Sequence, residues 1–326
     1  MTDPFIIALT DYQTPDVEIE KNVVNTAGGK LMVGQCKSED EIIQLTRDAN
    51  GILNDFARIT KRVIDSLKKC KVIACCGVGV NSVDLPAATA AGIAVCNVPE
   101  YGIQEVSDHA IGLLLSCIRK IPQMNCNVKA GRWDPQAART IYRITGKTLG
   151  LVGFGNISRM VALKLAPWKL KILAHDPYIS DDIFKAHGVQ KSDFAHLLAR
   201  SDYISCHLPL TPETHHFFSY EQFCQMKKTA YFINTGRGPV VNEGDLCRCL
   251  QEGRLAGIGL DVMEKEPPDA SHPLFSFSNV IITPHHAWYS EEAGLDLQTM
   301  YAEEAVRVIT GQAPRWCVNP EVLNYG

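Results

Sequence analysis

Three short segments of the 326-residue chain each contribute a side chain that carbonyl chemistry needs. Ile233-Asn-Thr235-Gly236-Arg237 ends on a permanent cation, Asp261-Val-Met-Glu264-Lys-Glu266-Pro267 is rich in carboxylates, and Thr283-Pro-His285-His286-Ala-Trp288 supplies imidazole. A guanidinium fork holds a substrate carboxylate and polarises the ketone next to it. Imidazole gives or takes a proton near neutral pH. A carboxylate beside it stabilises the imidazolium, raises its pKa and fixes its tautomer. Together these are the groups that hydride transfer to a 2-keto acid requires. Taken singly, Arg237 reads as a surface ion-pair residue, Glu266 as a loop acid and His285 as a capped turn residue. Their joint position, each just after an apolar strand-like run, carries the chemical reading.

A fourth segment supplies the partner for such chemistry. Gly150-Leu-Val-Gly153-Phe-Gly155-Asn156-Ile157-Ser158 stands between an apolar run and an amphipathic one. Gly153 permits a tight turn and Gly155 a close approach of backbone to a pyrophosphate. The amides of Asn156 and Ile157, at a helix N-terminus, bind its oxygens. Asp176 follows Gly155 by twenty-one residues, near the spacing of about 20 expected for the acid that meets the adenosine ribose. Its charge would repel a 2′-phosphate, which favours NAD over NADP. The plainer reading of Asp176 is a turn residue before Pro177.

The elements that must position these residues are legible as alternation. Residues 5–9, 31–34, 51–54, 72–75 and 93–97 read as strands, with helices over 39–47, 61–67 and 85–91. A long apolar helix is predicted over 105–119, then a polar stretch over 125–143 with no clear period. A second series follows, with strands over 148–152, 171–175, 203–207, 230–235, 257–262 and 280–283. Helices are predicted over 157–166, over 243–252 with Asn242 as N-cap, and over 291–310 between Ser290 and Gly311. Strands alternating with helices imply mostly parallel sheets covered on both faces, an α/β fold in two units. Ligands in such folds bind beyond the carboxyl ends of the strands, where all four segments lie.

Composition narrows the function classes. Hydrophobic residues make up 46% and charged residues 21%, enough for a substantial core. Lys plus Arg is 32 against 36 for Asp plus Glu, a net charge of −4, so nothing draws the chain to nucleic acid or anionic lipid. The longest apolar run, 110–118, is far short of a membrane span, and residues 1–11 show no leader pattern. The twelve cysteines sit in apolar contexts, as expected of reduced thiols in a cytoplasmic protein. Cys247 and Cys249, two apart on a helix, do not face one another, and no metal site is expected.

With these segments in hand, the chain resembles the D-isomer-specific 2-hydroxyacid dehydrogenases, nearly end to end. The likeness extends to Gly77-Val78-Gly79-Val-Asn-Ser-Val-Asp84, Asn97-Val-Pro-Glu-Tyr-Gly102, Leu208-Pro209-Leu-Thr-Pro-Glu-Thr214 and Pro273-Leu274. Thr283 to Ser290 and Cys317-Val-Asn319 resemble the branch that holds the C-terminal-binding proteins and the phosphoglycerate or glycerate dehydrogenases. The resemblance implies Arg237 as the substrate-binding catalytic residue, Glu266 as carboxylate partner and His285 as acid/base, with Glu264 a near neighbour and His286 a bystander. It implies cofactor contacts at Pro209, Thr235, Gly236 and Asp261, the last near the nicotinamide, and substrate contacts through the amides of Val78 and Gly79. Ser158 stands where glycine or alanine is usual, and Gly236 where alanine is common.

The resemblance further implies a Rossmann-type doubly wound NAD-binding domain over residues 100–296. A flavodoxin-like substrate domain would comprise 1–99 and 297–326. Members are usually homodimers through the cofactor domain, and the Trp133 segment is the expected arm. The expected reaction interconverts a small 2-keto acid and its D-2-hydroxy acid, of hydroxypyruvate, glyoxylate or 3-phosphoglycerate type. The alternative is an NAD(H)-sensing protein-binding module like the corepressors of the same branch. The long polar tail of those animal proteins and the regulatory domain of longer phosphoglycerate dehydrogenases have no counterpart here, so serine feedback is not expected. Trp288, three residues after His285, is expected either over the substrate's third carbon or as packing between the domains.

Overall fold

The structure, a computed structural model, describes residues 4–323. Residues 1–3 and 324–326, the extremities of the expected substrate domain and the start of the segment read for a leader, lie outside the described residues. The chain divides into two compact units, with crossings after Gly102 and after Tyr289.

The first unit opens with β1 (Ile6–Leu9), α1 (Glu18–Thr26), β2 (Lys30–Val33), α2 (Glu39–Thr46), β3 (Gly51–Asn54), α3 (Lys61–Ser66), β4 (Val72–Cys75), α4 (Leu85–Ala90) and β5 (Ala94–Cys96). Its sheet is wholly parallel in the flavodoxin-like order β2-β1-β3-β4-β5. β3 and β4 are buried at every residue. Helices on both faces leave no polar side, and the strands therefore read as unbroken apolar runs.

The second unit begins with α5 (Ile103–Arg119) and α6 (Ile121–Lys129). It continues through β6 (Thr148–Val152), α7 (Asn156–Leu165), β7 (Lys171–His175), α8 (Asp181–Ala186), β8 (Gln190–Lys191), α9 (Phe194–Arg200), β9 (Tyr203–Cys206), α10 (Tyr220–Gln225), β10 (Tyr231–Asn234), α11 (Glu243–Gln251), β11 (Gly257–Leu260) and β12 (Val280–Ile282). The seven strands are parallel, ordered β12-β11-β10-β9-β6-β7-β8, a doubly wound sheet whose order reverses between β6 and β9. Two clusters of buried side chains fill its faces, one around Phe218, Phe223 and Phe232, the other around Phe154, Phe184 and Leu149. The chain then returns to the first unit as α12 (Glu291–Ile309).

The return crossing falls at Ser290 rather than at the expected 296/297. Ser290 caps α12, its hydroxyl accepting from the Ala293 amide at 2.9 Å. A helix forms cooperatively from its cap onward, so a boundary inside it would divide one unit of structure. Two of the helices for which pattern reading gave no range are explained by burial. In α1 the core-facing position Glu20 is charged yet 1% exposed, and its carboxylate accepts from Tyr301 (2.7 Å) and Gln298 (3.1 Å). That acid breaks the apolar period. α6 has no buried residue, so it carries no amphipathic stripe. No helix among the described residues is long and apolar enough to cross a membrane.

Asp55, just after β3, makes the first unit sensitive to pH. Burial, followed by the nearby Asp11 charge, pushes its carboxyl up from 3.8 to about 7. Asp11 is held in place by the amides of Phe56 (2.7 Å) and Ala57 (3.0 Å). The folded state thus binds the Asp55 proton more tightly than the unfolded chain. Stability from this group is full below about pH 4, declines as pH rises toward about 7, and is level above that. Urea unfolding at a series of pH values should show this decline in the wild type. Asp55→Asn should remove it, and an unchanged slope in the variant would overturn the assignment.

Candidate active site

The glycine turn after β6 has the shape of an anion cradle. Gly153 has φ +83, a backbone that disfavours any side chain, and a Cβ there would lie 3.0 Å from the His207 carbonyl oxygen. Its neighbour across the switch point is therefore the chain leaving β9. Gly155, by contrast, is exposed, with nothing within 4 Å of where its Cβ would be. It is the N-cap of α7 without a capping side chain. The first amides of that helix, from Asn156 and Ile157, are thus presented to an open face. Ser158, at the departure from the usual glycine, is fully buried and donates to the Gly153 carbonyl at 2.5 Å. The hydroxyl ties the turn to the helix it opens.

Asp176 follows β7 and is bound back to this turn. One carboxylate oxygen accepts from the Phe154 amide (2.8 Å) and the other from the Tyr178 amide (3.0 Å). Beside it is a depression lined by Asp176, Pro177, Asp181, Lys191, Ser192 and Asp193. The one cation there, Lys191, is held by Asp181 at 2.7 Å. Thr235, after β10, has a buried hydroxyl oxygen without a hydrogen-bond partner, a group that awaits a ligand atom. Gly236 is required by space, since a Cβ would lie 2.9 Å from the Leu208 carbonyl oxygen. The Pro209 carbonyl accepts from Thr214 at 2.6 Å, which fixes the loop after β9. An open helix N-terminus, an acid at the next strand end and an orphaned hydroxyl on one sheet edge fit a dinucleotide.

The acid–base residues converge on the same edge. Gly238 lets two loops touch: a Cβ there would lie 1.9 Å from the Met263 carbonyl oxygen. Arg237, directly before it, donates to the Gly236 carbonyl at 2.7 Å. Glu266 accepts from the Met263 amide at 2.8 Å through one oxygen and from His285 Nδ1 at 2.6 Å through the other. A carboxylate only accepts, so His285 carries its proton on Nδ1 and leaves Nε2 to exchange one. Burial alone would raise the Glu266 carboxyl. The hydrogen bonds from His285 and Met263, with the charges of His285 and Arg237, together hold it below 4.5. The structure thus brings Arg237, Glu266 and His285 into one electrostatic unit. Glu264 belongs elsewhere, its carboxylate meeting His216 Nε2 at 2.5 Å.

His285 has φ +52, a left-handed backbone costly for a side-chain-bearing residue. Its amide donates to the carbonyls of Asp261 (2.8 Å) and Thr283 (3.0 Å). Asp261, 1% exposed, accepts from the Thr283 hydroxyl (2.6 Å) and the amides of His286 (3.1 Å) and Ala287 (2.9 Å). Asp261 therefore organises the turn after β12. His286 is tied in as well, its amide on Asp261 and its ring edge-on to His109 at 4.9 Å. His109, on α5, was missed in the sequence, where the only signal was an imidazole within an apolar helix. Trp288 is half-buried and edge-on to Tyr289. Val78 and Gly79 lie in the first unit on the loop after β4, Val78 exposed and its carbonyl accepting from Asn97 at 2.8 Å.

Residues 111–287, over half of the chain, match the NAD binding domain of the D-isomer specific 2-hydroxyacid dehydrogenases. The glyoxylate reductase of Thermofilum pendens is 37% identical over 291 residues, 88% of this chain and 86% of that one. The D-3-phosphoglycerate dehydrogenase of Methanocaldococcus jannaschii is 36% identical over 293 residues, 89% of this chain but 56% of its own length, so the chain spans little more than half of that relative. A solved D-lactate dehydrogenase from Aquifex aeolicus, complexed with NAD and lactic acid, superimposes with a TM-score of 0.84 at 26% identity over 97% of both chains. The chain belongs to the D-isomer specific 2-hydroxyacid dehydrogenase family, and its cofactor is NAD(P).

The Glu266 geometry predicts a measurable titration. A depressed carboxyl contributes stability that is present above the ordinary value and lost as pH falls through the folded one. Carbon-detected NMR should place the Glu266 midpoint below 4.5 in the wild type. It should rise in His285→Asn, a residue that tolerates left-handed backbone but is too short to reach Glu266. An equal midpoint in both proteins would refute the pairing.

Proposed function

We propose that the chain is an NAD-dependent oxidoreductase interconverting a small 2-keto acid and its D-2-hydroxy acid. The observation that carries this is the Glu266–His285 hydrogen bond at 2.6 Å under the charge of Arg237. Arg237 would bind the substrate carboxylate and polarise the ketone. With Nδ1 committed to Glu266, His285 would pass the proton through Nε2, to the alkoxide oxygen in reduction and from the hydroxyl in oxidation. The bound nicotinamide would supply or accept the hydride. Gly153, Gly155, Asn156 and Ile157 would hold the pyrophosphate, Asp176 the adenosine ribose, and Pro209, Thr235, Gly236 and Asp261 the nicotinamide side. The depression beside Asp176 favours NAD over NADP, because three carboxylates outnumber one already paired lysine. Val78 and Gly79 would meet the substrate from the first unit, the substrate domain of this reading.

NADH oxidation over a panel of glyoxylate, hydroxypyruvate, pyruvate, 3-phosphohydroxypyruvate and bulkier 2-keto acids tests the assignment. At least one should be reduced, with NADPH much poorer. His285→Asn should bind NADH normally while turnover falls by about 10²–10⁴, and Asp176→Ala should narrow the cofactor preference. No reduction of any acid, or equal use of NADPH, would overturn the corresponding part.

We further propose that Trp288 walls the substrate pocket. On the same panel Trp288→Ala should reorder the acids, since one pocket methylene is worth about 1–3 kcal/mol. A proportional loss on all of them with a lowered Tm would assign the ring to packing instead.

We place a homodimer contact on the segment from α6 through Tyr142. α6 buries nothing, and Ile121, Val128, Tyr142 and Trp133, the last 85% exposed, leave apolar surface there. Light scattering should give a dimer, reduced to a monomer by Trp133→Ser with Val128→Ser. A monomeric wild type would remove the proposal.

A further inference from the structure

His109 on α5 has no part in the proposed proton transfer, although it reaches the turn that carries His285. Its Nε2 lies 2.9 Å from the Thr283 hydroxyl oxygen. That oxygen lies 2.6 Å from Asp261 Oδ1, the same atom that accepts the His286 amide. A carboxylate has no proton to give, so the single hydroxyl proton of Thr283 points to Asp261. The hydroxyl oxygen must then accept from His109, which therefore carries a proton on Nε2. Burial, against the attraction of Asp261 and with the help of His286, holds the His109 imidazole below 6.5. The ring is thus a neutral Nε2–H donor near neutral pH.

We propose that His109 is a positioning residue for the catalytic turn, acting through a directed relay from His109 Nε2–H to the Thr283 hydroxyl to the Asp261 carboxylate. Asp261 receives the two amides that follow His285, and its carbonyl receives the amide of His285 itself. Those bonds hold the left-handed backbone that aims the imidazole at Glu266. Without the Nε2–H donor, the Thr283 hydroxyl is free to turn to the Leu260 carbonyl, 3.4 Å away. Asp261 would lose a donor, and the turn one of its constraints. The role assigned to His285 comes from the dehydrogenase reading, while the relay stands on its own geometry.

A competing use of these side chains is a metal site. His109 Nε2 and His286 Nδ1 lie 3.5 and 3.6 Å from Asp261 Oδ1, and the three groups have the spacing of a cation cluster. The relay argues against it, because a nitrogen that holds a proton has no lone pair for a cation.

Two measurements test the relay. NMR of the full chain labelled with ¹⁵N-histidine, without substrate or cofactor, should find His109 as the Nε2–H tautomer, its signals assigned by their loss in His109→Leu and perturbed in Thr283→Val. The Nδ1–H tautomer would overturn the proposal and free Nε2 for a cation. In kinetics, His109→Leu should lower kcat by about 10- to 100-fold while the Kd for NADH stays within about twofold. His109→Gln, whose amide can still donate to the hydroxyl, should recover most of that loss. Wild-type kcat in His109→Leu, or equal impairment of the Leu and Gln variants with NADH affinity lost alongside, would also overturn it. If the wild type reduces no acid at all, the dehydrogenase reading fails while the tautomer still decides the relay.

Discussion

The buried carboxylate of Asp261 constrains the half of the second unit that carries the candidate site. Ordering a charge at 1% exposure is costly unless donors surround it. Here the donors are one hydroxyl and two amides, all from the segment that follows β12. Satisfying the acid after β11 therefore dictates the path of the chain after the neighbouring strand. That path includes a left-handed residue, and the residue is His285. Parallel pairing of β11 with β12 makes this feasible, since both strands end on the same edge and their exits lie side by side.

Two carboxylates two residues apart show how local partners divide similar groups. Glu266 takes one donor from its own loop, Met263, and one from His285. Glu264 is turned to His216, and its amide is held by Glu243 at 2.7 Å. Glu243 is raised by burial, against the favourable bond from Glu264 and the charge of His272. The loop between them is pinned from beneath by Gly238, where only hydrogen fits against Met263. Glycine at 236 and 238 and the acids at 264 and 266 thus form one packed pair of loops.

Much of this was legible because parallel sheets impose a simple pattern. β3, β4, β9, β10 and β11 are buried at every residue, so their sequences are mostly apolar and their ends mark where the candidate site gathers. Gly153, Gly155 and Asp176 were legible because strand, turn and helix stand at fixed spacing. What could not be read was long-range or inverted. His109 meets a residue 174 positions away, and no local period encodes that meeting. Glu20 occupies a core position with a charge, which erased α1, and α6 has no fully buried residue. Ser158 and Gly236 looked like departures, but the first bonds the Gly153 carbonyl and the second makes room for Leu208.

His285 and His109 hold their protons on opposite nitrogens, and their partners decide which one is available for exchange. His285 gives Nδ1–H to a carboxylate directly, and with 37% of its side chain exposed it leaves Nε2 open to a substrate. His109 gives Nε2–H to a hydroxyl that passes the interaction on to Asp261. Burial outweighs the attraction of that acid, so the ring stays neutral and its proton stays in the relay. Direct pairing with an acid leaves the far ring nitrogen open, whereas pairing through a hydroxyl makes a fixed donor. One strand edge therefore carries two imidazoles in opposite tautomers, one with Nε2 left open and one bound into the turn that holds the other.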